Sequence, residues 1–258
     1  MYPEERQQQI LQRARTEGRV DVVALAEDLR VTTETIRRDL TVLERAGVLR
    51  RVHGGAIPVE RLGFEPALAT RDAVMTAEKE RIAKAAVEEL PRDGAIIIDA
   101  GTTTGRLAEA IPLDRELTVV VNSPPLATAL ATRPNLTVIA LGGRVRGRTL
   151  ATVDDFALQL LGQVYVDVAF MATNGLTIER GLTTPDPAEA AVKRSMMAAA
   201  RRTVMLADHT KVGNDYFARF GEVSDVDLLV TDAGLSDGAN QQFLQSGLNV
   251  VRARPIQH

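Results

Sequence analysis

Apolar residues at the start of the chain recur with the period of an α-helix in three short segments. In the third segment Ile36, Leu40 and Leu43 share one face of the predicted helix. After Gly47 the pattern changes to two short runs typical of β-strands. The pattern therefore predicts a helix-turn-helix followed by a two-stranded wing. The predicted elements are helices at 3–14 and 22–29, a turn at 30–32, a third helix that ends at Gly47, and strands at 48–52 and 56–59.

The ends of the third helix carry residues that favour helix termini. Thr32 or Thr33 can cap the helix through its hydroxyl, and Glu34 suits the positive end of the helix dipole. Gly47 supplies the stop because glycine readily adopts the left-handed conformation that ends a helix. The third helix is therefore predicted with both of its ends.

Arginines cluster on the third helix and the wing. Arg38 points nearly opposite the apolar face of the helix, with Thr35 and Arg37 beside it. Residues 37–53 hold five arginines against two acidic residues, whereas residues 1–30 have no such excess. Local positive charge on an exposed helix and hairpin indicates DNA binding, although solvated surface arginines are the alternative. The predicted DNA-contacting residues are Thr35, Arg37, Arg38, Arg50, Arg51 and His53.

The rest of the chain alternates short apolar runs with helical segments. Such alternation predicts a mostly parallel, Rossmann-like α/β sheet with helices on both faces. A helix capped by Thr76 opens this region, and a segment rich in proline, glycine and charge precedes it. The predicted organisation is a DNA-binding domain at 1–58, a linker at 59–75 and an α/β domain at 76–258. The predicted strands are 95–99, 117–121, 136–141, 168–171, 204–207, 228–231 and 250–252.

Polar or glycine-rich turns follow the predicted strands. In a parallel sheet these turns meet at one edge, where ligands bind near helix N-termini. The turn 99–105, DAGTTTG, offers close backbone approach, three hydroxyls and free N–H groups that suit a phosphate. Lys211 offers a point charge for phosphate, and Asp208 can accept hydrogen bonds from sugar hydroxyls. Ordinary polar turns and a threonine-capped helix are the alternatives.

Composition limits the chemistry that the chain can carry. The chain has 258 residues, a formal net charge of −3 and no cysteine. Disulfides, zinc–thiolate sites and cysteine nucleophiles are therefore excluded, and DNA binding must come from a local patch. We found no cofactor or metal motif, because the turn 99–105 matches neither the dinucleotide nor the P-loop pattern. No apolar run approaches a membrane span, which predicts a cytoplasmic protein without membrane contact.

Two parts of the sequence resemble one family. TIRRDLTVLERAGVLRRVHGGA, at 35–56, closely resembles the N-terminal winged helix-turn-helix of the DeoR family of bacterial transcriptional regulators. DAGTTT, VNS, LGGR, TNGL, GLTTPDPAEAAVKR and LADHTKVG, within 76–250, resemble the C-terminal sensor domain of that family. Such sensor domains are similar to ribose-5-phosphate isomerase and bind phosphorylated sugars or related metabolites.

The resemblance implies roles for individual residues. It assigns the phosphate to Thr102–Thr104 and the sugar to Asp208 and Lys211, and it matches Arg71 and Lys79 to basic positions of the family. Lys193 lies in the EAAVKR motif and either approaches the pocket or is a solvated helix lysine. The predicted effector-binding residues are Arg71, Lys79, Asp99, Gly101, Thr102, Thr103, Thr104, Asn122, Arg144, Asn174, Asp208 and Lys211.

An isomerase needs an acid–base pair beside its ligand. The isomerases carry paired aspartates, whereas the resemblance puts Met171 and Asn174 at those positions of this chain. Methionine transfers no proton and an amide is no general base, so we predict a sensor and no catalytic residue. Other carboxylates remain in the sequence, and a sugar-phosphate enzyme with an appended DNA-binding module is the alternative. A dinucleotide redox sensor is a second alternative, which the missing dinucleotide motif disfavours.

The predicted function is a ligand-responsive regulator, a repressor of a sugar-catabolism operon that a phosphorylated sugar releases from its operator. The segments LATVDDFA, TNGL and LADHTKVG look most like those of fructose-operon repressors, which suggests fructose 1-phosphate. Ligand contact at Arg71 and Lys79 would reset the wing. The predicted partners are double-stranded operator DNA, the phosphorylated sugar and further copies of the chain in a homodimer or homotetramer.

Overall fold

The structure is a computed structural model that describes residues 2–17, 19–52, 54–58, 65 and 67–254. The chain divides into two compact units, Met1–Pro66 and Ala67–His258. The division lies inside the segment 59–75 that the sequence predicts as a linker. Residues 59–64 and 66 of that segment, and the predicted DNA contact His53, lie outside the described residues.

The first unit contains three helices and a small antiparallel sheet, as predicted. Strand β1, of only two residues, was not predicted, and it pairs with β3 through Val20 and Ala56. Ile36, Leu40 and Leu43 are buried, so the apolar face of the third helix is confirmed. The elements are α1 (Pro3–Glu17), β1 (Val20–Asp21), α2 (Val22–Asp28), α3 (Thr33–Arg45), β2 (Leu49–Val52) and β3 (Gly55–Pro58), in the sheet order β1-β3-β2.

Both predicted ends of α3 are confirmed. The hydroxyl of Thr32 accepts a hydrogen bond of 3.2 Å from the backbone N–H of Thr35. Gly47 adopts a left-handed conformation with φ of 71°. Its N–H donates to the carbonyl of Glu44 at 2.8 Å, and the next N–H, of Val48, donates back to Leu43 at 3.1 Å. The helix therefore ends in hydrogen bonds that satisfy its last carbonyl groups.

The second unit is an α/β domain around a seven-stranded sheet. Its first elements include a short helix, α4, inside the segment 59–75 that the sequence predicts as a linker. The elements in chain order are α4 (Leu68–Asp72), α5 (Thr76–Ala86), β4 (Asp93–Ile98), α6 (Thr102–Ala110), β5 (Glu116–Val121), α7 (Pro124–Leu130), β6 (Leu136–Ala140), β7 (Arg144–Val145), β8 (Thr152–Val153), α8 (Asp155–Leu161), β9 (Val166–Ala172), β10 (Gly175–Thr177), β11 (Gly181–Thr184), α9 (Pro187–Ala198), β12 (Ala200–Leu206), β13 (Ala218–Gly221), β14 (Leu228–Asp232), α10 (Asp237–Gln245) and β15 (Asn249–Ala253).

All seven strands of the large sheet are parallel, in the order β15-β14-β12-β9-β4-β5-β6. Strand β4, next to the central strand β9, is buried on both faces: Ile97 packs into one hydrophobic cluster, and Ile96 and Ile98 pack into the other. The predicted Rossmann-like sheet is therefore confirmed. Five short strands were not predicted: β7 and β8 form a hairpin, and β10, β11 and β13 form a small antiparallel sheet.

The predicted cap of α5 is wrong. Thr76 is the first residue of the helix, and the cap position belongs to Met75, which has φ of 57° and makes no side-chain cap hydrogen bond. The hydroxyl of Thr76 instead donates to the carbonyl of Asp72, at 3.3 Å. Sequence periodicity does not encode this contact between α4 and α5. None of the described helices is both long enough and apolar enough to cross a membrane.

Candidate functional site

Helix α3 presents two of the predicted DNA-contacting arginines to solvent. The side chains of Arg38 and Arg37 are 81% and 54% exposed. Glu34 lies 3.8 Å from both guanidinium groups, which is too long for a hydrogen bond, so both remain accessible to a phosphate. Thr35 is half-buried, and its hydroxyl lies 2.9 Å from that of Thr32.

The wing carries two more exposed arginines, Arg50 and Arg51, on β2. The backbone N–H of Arg51 donates to Glu44 at 2.9 Å, and its guanidinium lies 3.4 Å from the hydroxyl of Thr41. These bonds join β2 to α3. The arginines of the helix and of the wing therefore belong to one surface of the first unit.

A buried ion pair beneath this surface was missed by sequence reasoning. Arg6 donates to both carboxylate oxygens of Asp39, at 2.5 and 3.3 Å, and Gln7 donates to the same group at 2.9 Å. Asp39 is only 4% exposed. Because one of the two acids counted against the five arginines is internal and neutralised, the exposed positive charge is larger than the sequence indicates.

In the second unit the predicted residues Asp99 and Asn122 lie together at the carboxyl edge of the sheet. The N–H of Ala100 donates to the side-chain oxygen of Asn122 at 2.6 Å, and the Asn122 amide lies 3.5 Å from Asp99. The N–H of Ala172 donates to the other oxygen of Asp99 at 3.0 Å. These side chains therefore join the ends of β4, β5 and β9.

Lys193 forms a buried ion pair with Asp99. Its ammonium also donates to the carbonyl of Ala172 at 3.0 Å and lies 5.5 Å from the ring centre of Phe220. Burial raises the pKa of Asp99, and Lys193 works against that rise. Lys193 is only 4% exposed, so of the two roles that the sequence left open, the solvated helix lysine is wrong.

The glycine–threonine turn leads directly into α6. Gly101 holds the cap position and no side-chain cap hydrogen bond forms there. An added Cβ at Gly101 would lie 3.1 Å from the Cβ of Ala172 and 2.8 Å from the hydroxyl of Thr104, so the turn is tightly packed. Thr103 and Thr104 are buried, and the hydroxyl of Thr104 donates to the carbonyl of Gly101 at 3.1 Å. Thr102 remains half-exposed. No side chain therefore caps the start of α6, and an anion could bind at its first N–H groups.

A cluster of charges surrounds the predicted residue Lys79. The pKa of Lys79 is lowered to about 8, first because burial disfavours its charged form and then because Lys211 lies nearby. Arg106 acts in the same direction, and Asp208 and Asp72 oppose it. The sequence-predicted residues Lys79, Asp208 and Lys211 are thus brought together. We call Lys79, Lys211, Arg106, Asp208 and Asp72 the charge cluster.

Asp208 is the least satisfied member of the charge cluster. It is 1% exposed, and its Oδ1 accepts hydrogen bonds from the backbone and hydroxyl of Thr210. Its Oδ2 is buried and has no hydrogen-bond partner within the described part of the chain. The ammonium of Lys211 lies 3.8 Å from that oxygen. A buried carboxylate oxygen without a donor is costly, and a ligand hydroxyl would satisfy it.

The remaining predicted effector residues are more dispersed. Arg71 is half-buried, and its carbonyl accepts a hydrogen bond from Lys79. Asn174 accepts a hydrogen bond of 2.9 Å from the hydroxyl of Thr184. Arg144 pairs with Asp154 at 2.7 Å and lies beside an open groove of about 670 Å³. No other predicted effector residue lines that groove, whose described lining residues are Gly142, Gly143, Arg144, Asp154, Asp155 and Phe156.

Two features of this edge were missed. Arg106 lies one helical turn after Thr102 and donates to its carbonyl at 3.0 Å. That helical spacing from the predicted loop was the available signal. His209 donates its backbone N–H to Asp232 and places Nδ1 near the same carboxylate, both at 2.8 Å, which raises the pKa of His209. These two residues are distant in sequence, so no local pattern indicated the pair.

The positions that would carry the isomerase aspartates hold no acid. Met171 is fully buried in the hydrophobic core, and Asn174 is hydrogen-bonded to Thr184. Within the described residues no group of three histidine or acidic side chains could hold a metal ion. The arrangement can bind an anion and a hydroxyl, and these two positions offer no proton transfer.

Two family models match the chain. The DeoR-like helix-turn-helix domain matches residues 6–61, and the DeoR C terminal sensor domain matches residues 74–233. The first match contains the arginine surface of α3 and β2. The second contains the carboxyl edge of the sheet and four of the five residues of the charge cluster, and Asp72 lies just before its start.

Full-length relatives are transcriptional regulators. The chain is 36% identical to the HTH-type transcriptional regulator GlpR of Haloferax volcanii, over 97% of this chain and 98% of that protein. It is 36% identical to the uncharacterized HTH-type transcriptional regulator FruR of Bacillus subtilis, over 83% and 86%. It is 30% identical to the glycerol-3-phosphate regulon repressor of Escherichia coli, over 90% and 92%.

Solved structures give weaker matches. Ribose 5 phosphate isomerase A from Neisseria gonorrhoeae is 19% identical, with a TM-score of 0.39 over 56% of this chain and 55% of that chain. The delta subunit of eIF2B from Chaetomium thermophilum is 16% identical, with a TM-score of 0.44 over 60% and 56%.

Proposed function

The chain belongs to the DeoR family of transcriptional regulators, and from that premise we propose that it represses a sugar-catabolism operon until a phosphorylated sugar releases it from DNA. It is a DNA-binding regulator and not an enzyme, because relatives that match nearly its whole length are regulators. The alternative of an isomerase-like enzyme with an appended DNA-binding module is therefore set aside. We expect the protein to act in the cytoplasm, in contact with operator DNA.

The proposed DNA contacts are Thr35, Arg37 and Arg38 on α3 and Arg50, Arg51 and His53 on the wing. The exposure of Arg37 and Arg38 supports a helix that enters the major groove, with the wing on the backbone. A helix-turn-helix reads two half-sites when the protein is a two-fold oligomer. We therefore expect a homodimer or homotetramer on a palindromic operator.

One observation carries the effector proposal: the buried Oδ2 of Asp208, which lacks a hydrogen-bond partner in the described chain and lies beside cations. A sugar phosphate would satisfy both the carboxylate oxygen, which needs a donor, and the cations, which need an anion. Its hydroxyl would donate to Asp208, and its phosphate would bind Lys79, Lys211 and the uncapped start of α6. The other predicted effector residues complete the proposed site: Arg71, Asp99, Gly101, Thr102, Thr103, Thr104, Asn122, Arg144 and Asn174.

The identity of the sugar is the finer part of the proposal. The segments that look like fructose-operon repressors favour fructose 1-phosphate, and one relative carries the name FruR. Two other relatives are named GlpR and glycerol-3-phosphate regulon repressor. Glycerol 3-phosphate is therefore the first compound to compare with fructose 1-phosphate.

The test begins with a duplex that the full chain selects from random DNA sequences. Fructose 1-phosphate, glycerol 3-phosphate and inorganic phosphate are then titrated into the complex, and release of the duplex is measured by fluorescence anisotropy. We expect release by a phosphorylated compound, and a Lys211→Gln variant should need about tenfold more of it, since a charge-assisted hydrogen bond is lost.

The matched control is Lys84→Gln, because Lys84 is an exposed lysine on α5, close in sequence to Lys79. This variant should respond as the original protein does. Failure to select any duplex would refute the DNA-binding part of the proposal. Release by none of the phosphorylated compounds, or an equal response of both lysine variants, would refute the effector site.

A further inference from the structure

Asp72 docks onto one of the cations of the charge cluster. The guanidinium of Arg106 donates to the carboxylate of Asp72 at 2.5 Å and lies 3.5 Å from its carbonyl. The Arg106 side chain is 16% exposed and the Asp72 side chain is 54% exposed. A solvent-accessible acid therefore covers a largely buried cation, beside the uncapped start of α6.

A second cation holds the same short stretch of chain. The ammonium of Lys79 donates to the carbonyls of Arg71 and Val74, the second at 2.6 Å. We call residues 71–74 the clasped segment. It lies at the end of α4, a few residues after Ala67, where the second unit begins. Two cations of the charge cluster are therefore occupied by the protein itself: Lys79, which belongs to the proposed phosphate site, and Arg106, which lies beside that site at the carbonyl of Thr102.

We propose that the carboxylate of Asp72 competes with the effector's phosphate for Arg106, so that phosphate binding releases the clasped segment. The inference rests on the proposed function. It adds how effector binding at the proposed site would change the protein. In the free protein Asp72 acts as an internal anion. In the effector complex the phosphate takes its place.

The chemistry favours such an exchange. A phosphate offers several oxygens and about two negative charges, and a guanidinium binds it with two parallel hydrogen bonds. The structure gives Asp72 one side-chain hydrogen bond to Arg106, and a half-exposed ion pair contributes little, so its loss costs little. The effector then interacts differently with the clasped and released states, which any ligand-driven change requires.

Competition and simple support predict opposite effects of removing the acid. If Asp72 only held Arg106 in position, Asp72→Asn would disorder the guanidinium and weaken phosphate binding. If Asp72 competes, the same change frees Arg106 and strengthens phosphate binding. The sign of the change in affinity therefore distinguishes the two roles.

The experiment is isothermal titration of the full chain with inorganic phosphate and, separately, with fructose 1-phosphate. We expect Asp72→Asn to bind about threefold more tightly, as the strength of a half-exposed ion pair implies. Arg106→Gln should bind more weakly. Asp72→Ser removes the same charge with a different side chain, and it should reproduce the gain if Asp72→Asn fails to fold.

The control is Asp237→Asn, which changes the net charge equally and removes another exposed partner of an arginine, Arg252, at 2.7 Å. An affinity of Asp72→Asn equal to or below that of the original protein would overturn the inference. An equal gain in Asp237→Asn would also overturn it, because the effect would then come from net charge.

Release of the selected duplex supplies an independent measure. Asp72→Asn should release the duplex at about threefold lower ligand concentration, and Asp237→Asn should not. If the original protein binds neither ligand, the proposed effector site fails. If it binds and Asp72→Asn gains nothing, the site stands and only the competition is wrong.

Discussion

Replacing Lys193 by methionine should destabilise the second unit strongly, and by an amount that depends on pH. The change keeps an unbranched apolar side chain beside Phe220 but removes the buried partner of Asp99. Breaking a buried ion pair by removing one partner costs about 3–5 kcal/mol. Asp99 keeps its hydrogen bond from the N–H of Ala172, at 3.0 Å, which favours the lower end of that range.

Protonation of Asp99 sets an upper limit on the free-energy cost of leaving its carboxylate unpaired. A carboxyl group with an ordinary pKa of about 3.9 is neutralised at pH 7 at a cost of about 4 kcal/mol, and at pH 5 at about 1.5 kcal/mol. The folded pKa of Asp99 is already raised by burial, and loss of Lys193 should raise it further. A raised folded pKa stabilises the native state below the unfolded pKa, and that contribution is lost as pH rises through the folded pKa.

The assay is urea unfolding at pH 7 and pH 5, followed by tyrosine fluorescence. Two of the chain's three tyrosines, Tyr165 and Tyr216, lie in the second unit and report on it. We expect Lys193→Met to lose about 3–4 kcal/mol at pH 7 and about 1.5 kcal/mol at pH 5. The control Lys84→Met changes an exposed lysine and should stay within about 0.5 kcal/mol.

A second variant separates the charge effect from packing. Asp99→Asn combined with Lys193→Met leaves no buried charge at this position, so it should recover most of the stability that the single variant loses. A loss of equal size at both pH values, or a double variant no more stable than Lys193→Met, would refute the assignment of the loss to an unpaired Asp99 carboxylate.

Three further results are expected. Arg38→Gln should weaken binding of the selected duplex without changing the melting temperature, and it should lower the salt dependence by about one phosphate contact; an unchanged salt slope in anisotropy titrations would contradict this. Phosphate affinity measured by calorimetry should fall as pH rises through about 8, because Lys79 then loses its charge while the phosphate stays dianionic; a Lys79→Met variant should lack that step, and its persistence would assign the titration elsewhere. Gly234→Ala should lose about 1–3 kcal/mol in thermal unfolding, since the added Cβ would lie 2.4 Å from Nδ1 of His209; full stability would mean that the ring moves freely.

The sequence predicts the inner strands of the large sheet well because they are buried on both faces. Each strand is then a continuous apolar run between turns, and Ile96, Ile97 and Ile98 are the clearest example. The short strands show no such apolar run. Strands β7 and β8 have two residues each, which is too few for a hydrophobic pattern. Similarly, α4 has five residues and is held by contacts of Lys79 and Arg106 rather than by its own propensity.

The candidate site was partly predictable for a related reason. Strand ends and helix starts are local, so Lys211, Asp208 and the turn 99–105 could be placed at one edge from the sequence. The ion-pair partners of the site residues could not be predicted, because they are distant from them in the sequence. Asp99 and Lys193 are far apart in the chain, and nothing in the pattern around Lys193 distinguished an ion pair from a solvated lysine. The pairing of Arg106 with Asp72 likewise depends on how α4 lies against α6.

The two ion pairs at this edge differ in the property that a sensor requires. Asp99 and Lys193 are both almost fully buried, so their separation is costly, and Asp99 joins the end of β4 to the end of β9 through the N–H of Ala172. Asp72 is half-exposed, and its separation from Arg106 costs little. Ligand binding energy is limited, and it can move only the part of a site whose internal contacts are weaker than those that the ligand offers. The Asp99–Lys193 pair is strong and the Asp72–Arg106 pair beside it is weak. Binding of an anion should therefore displace Asp72 and the clasped segment, and leave the sheet unchanged.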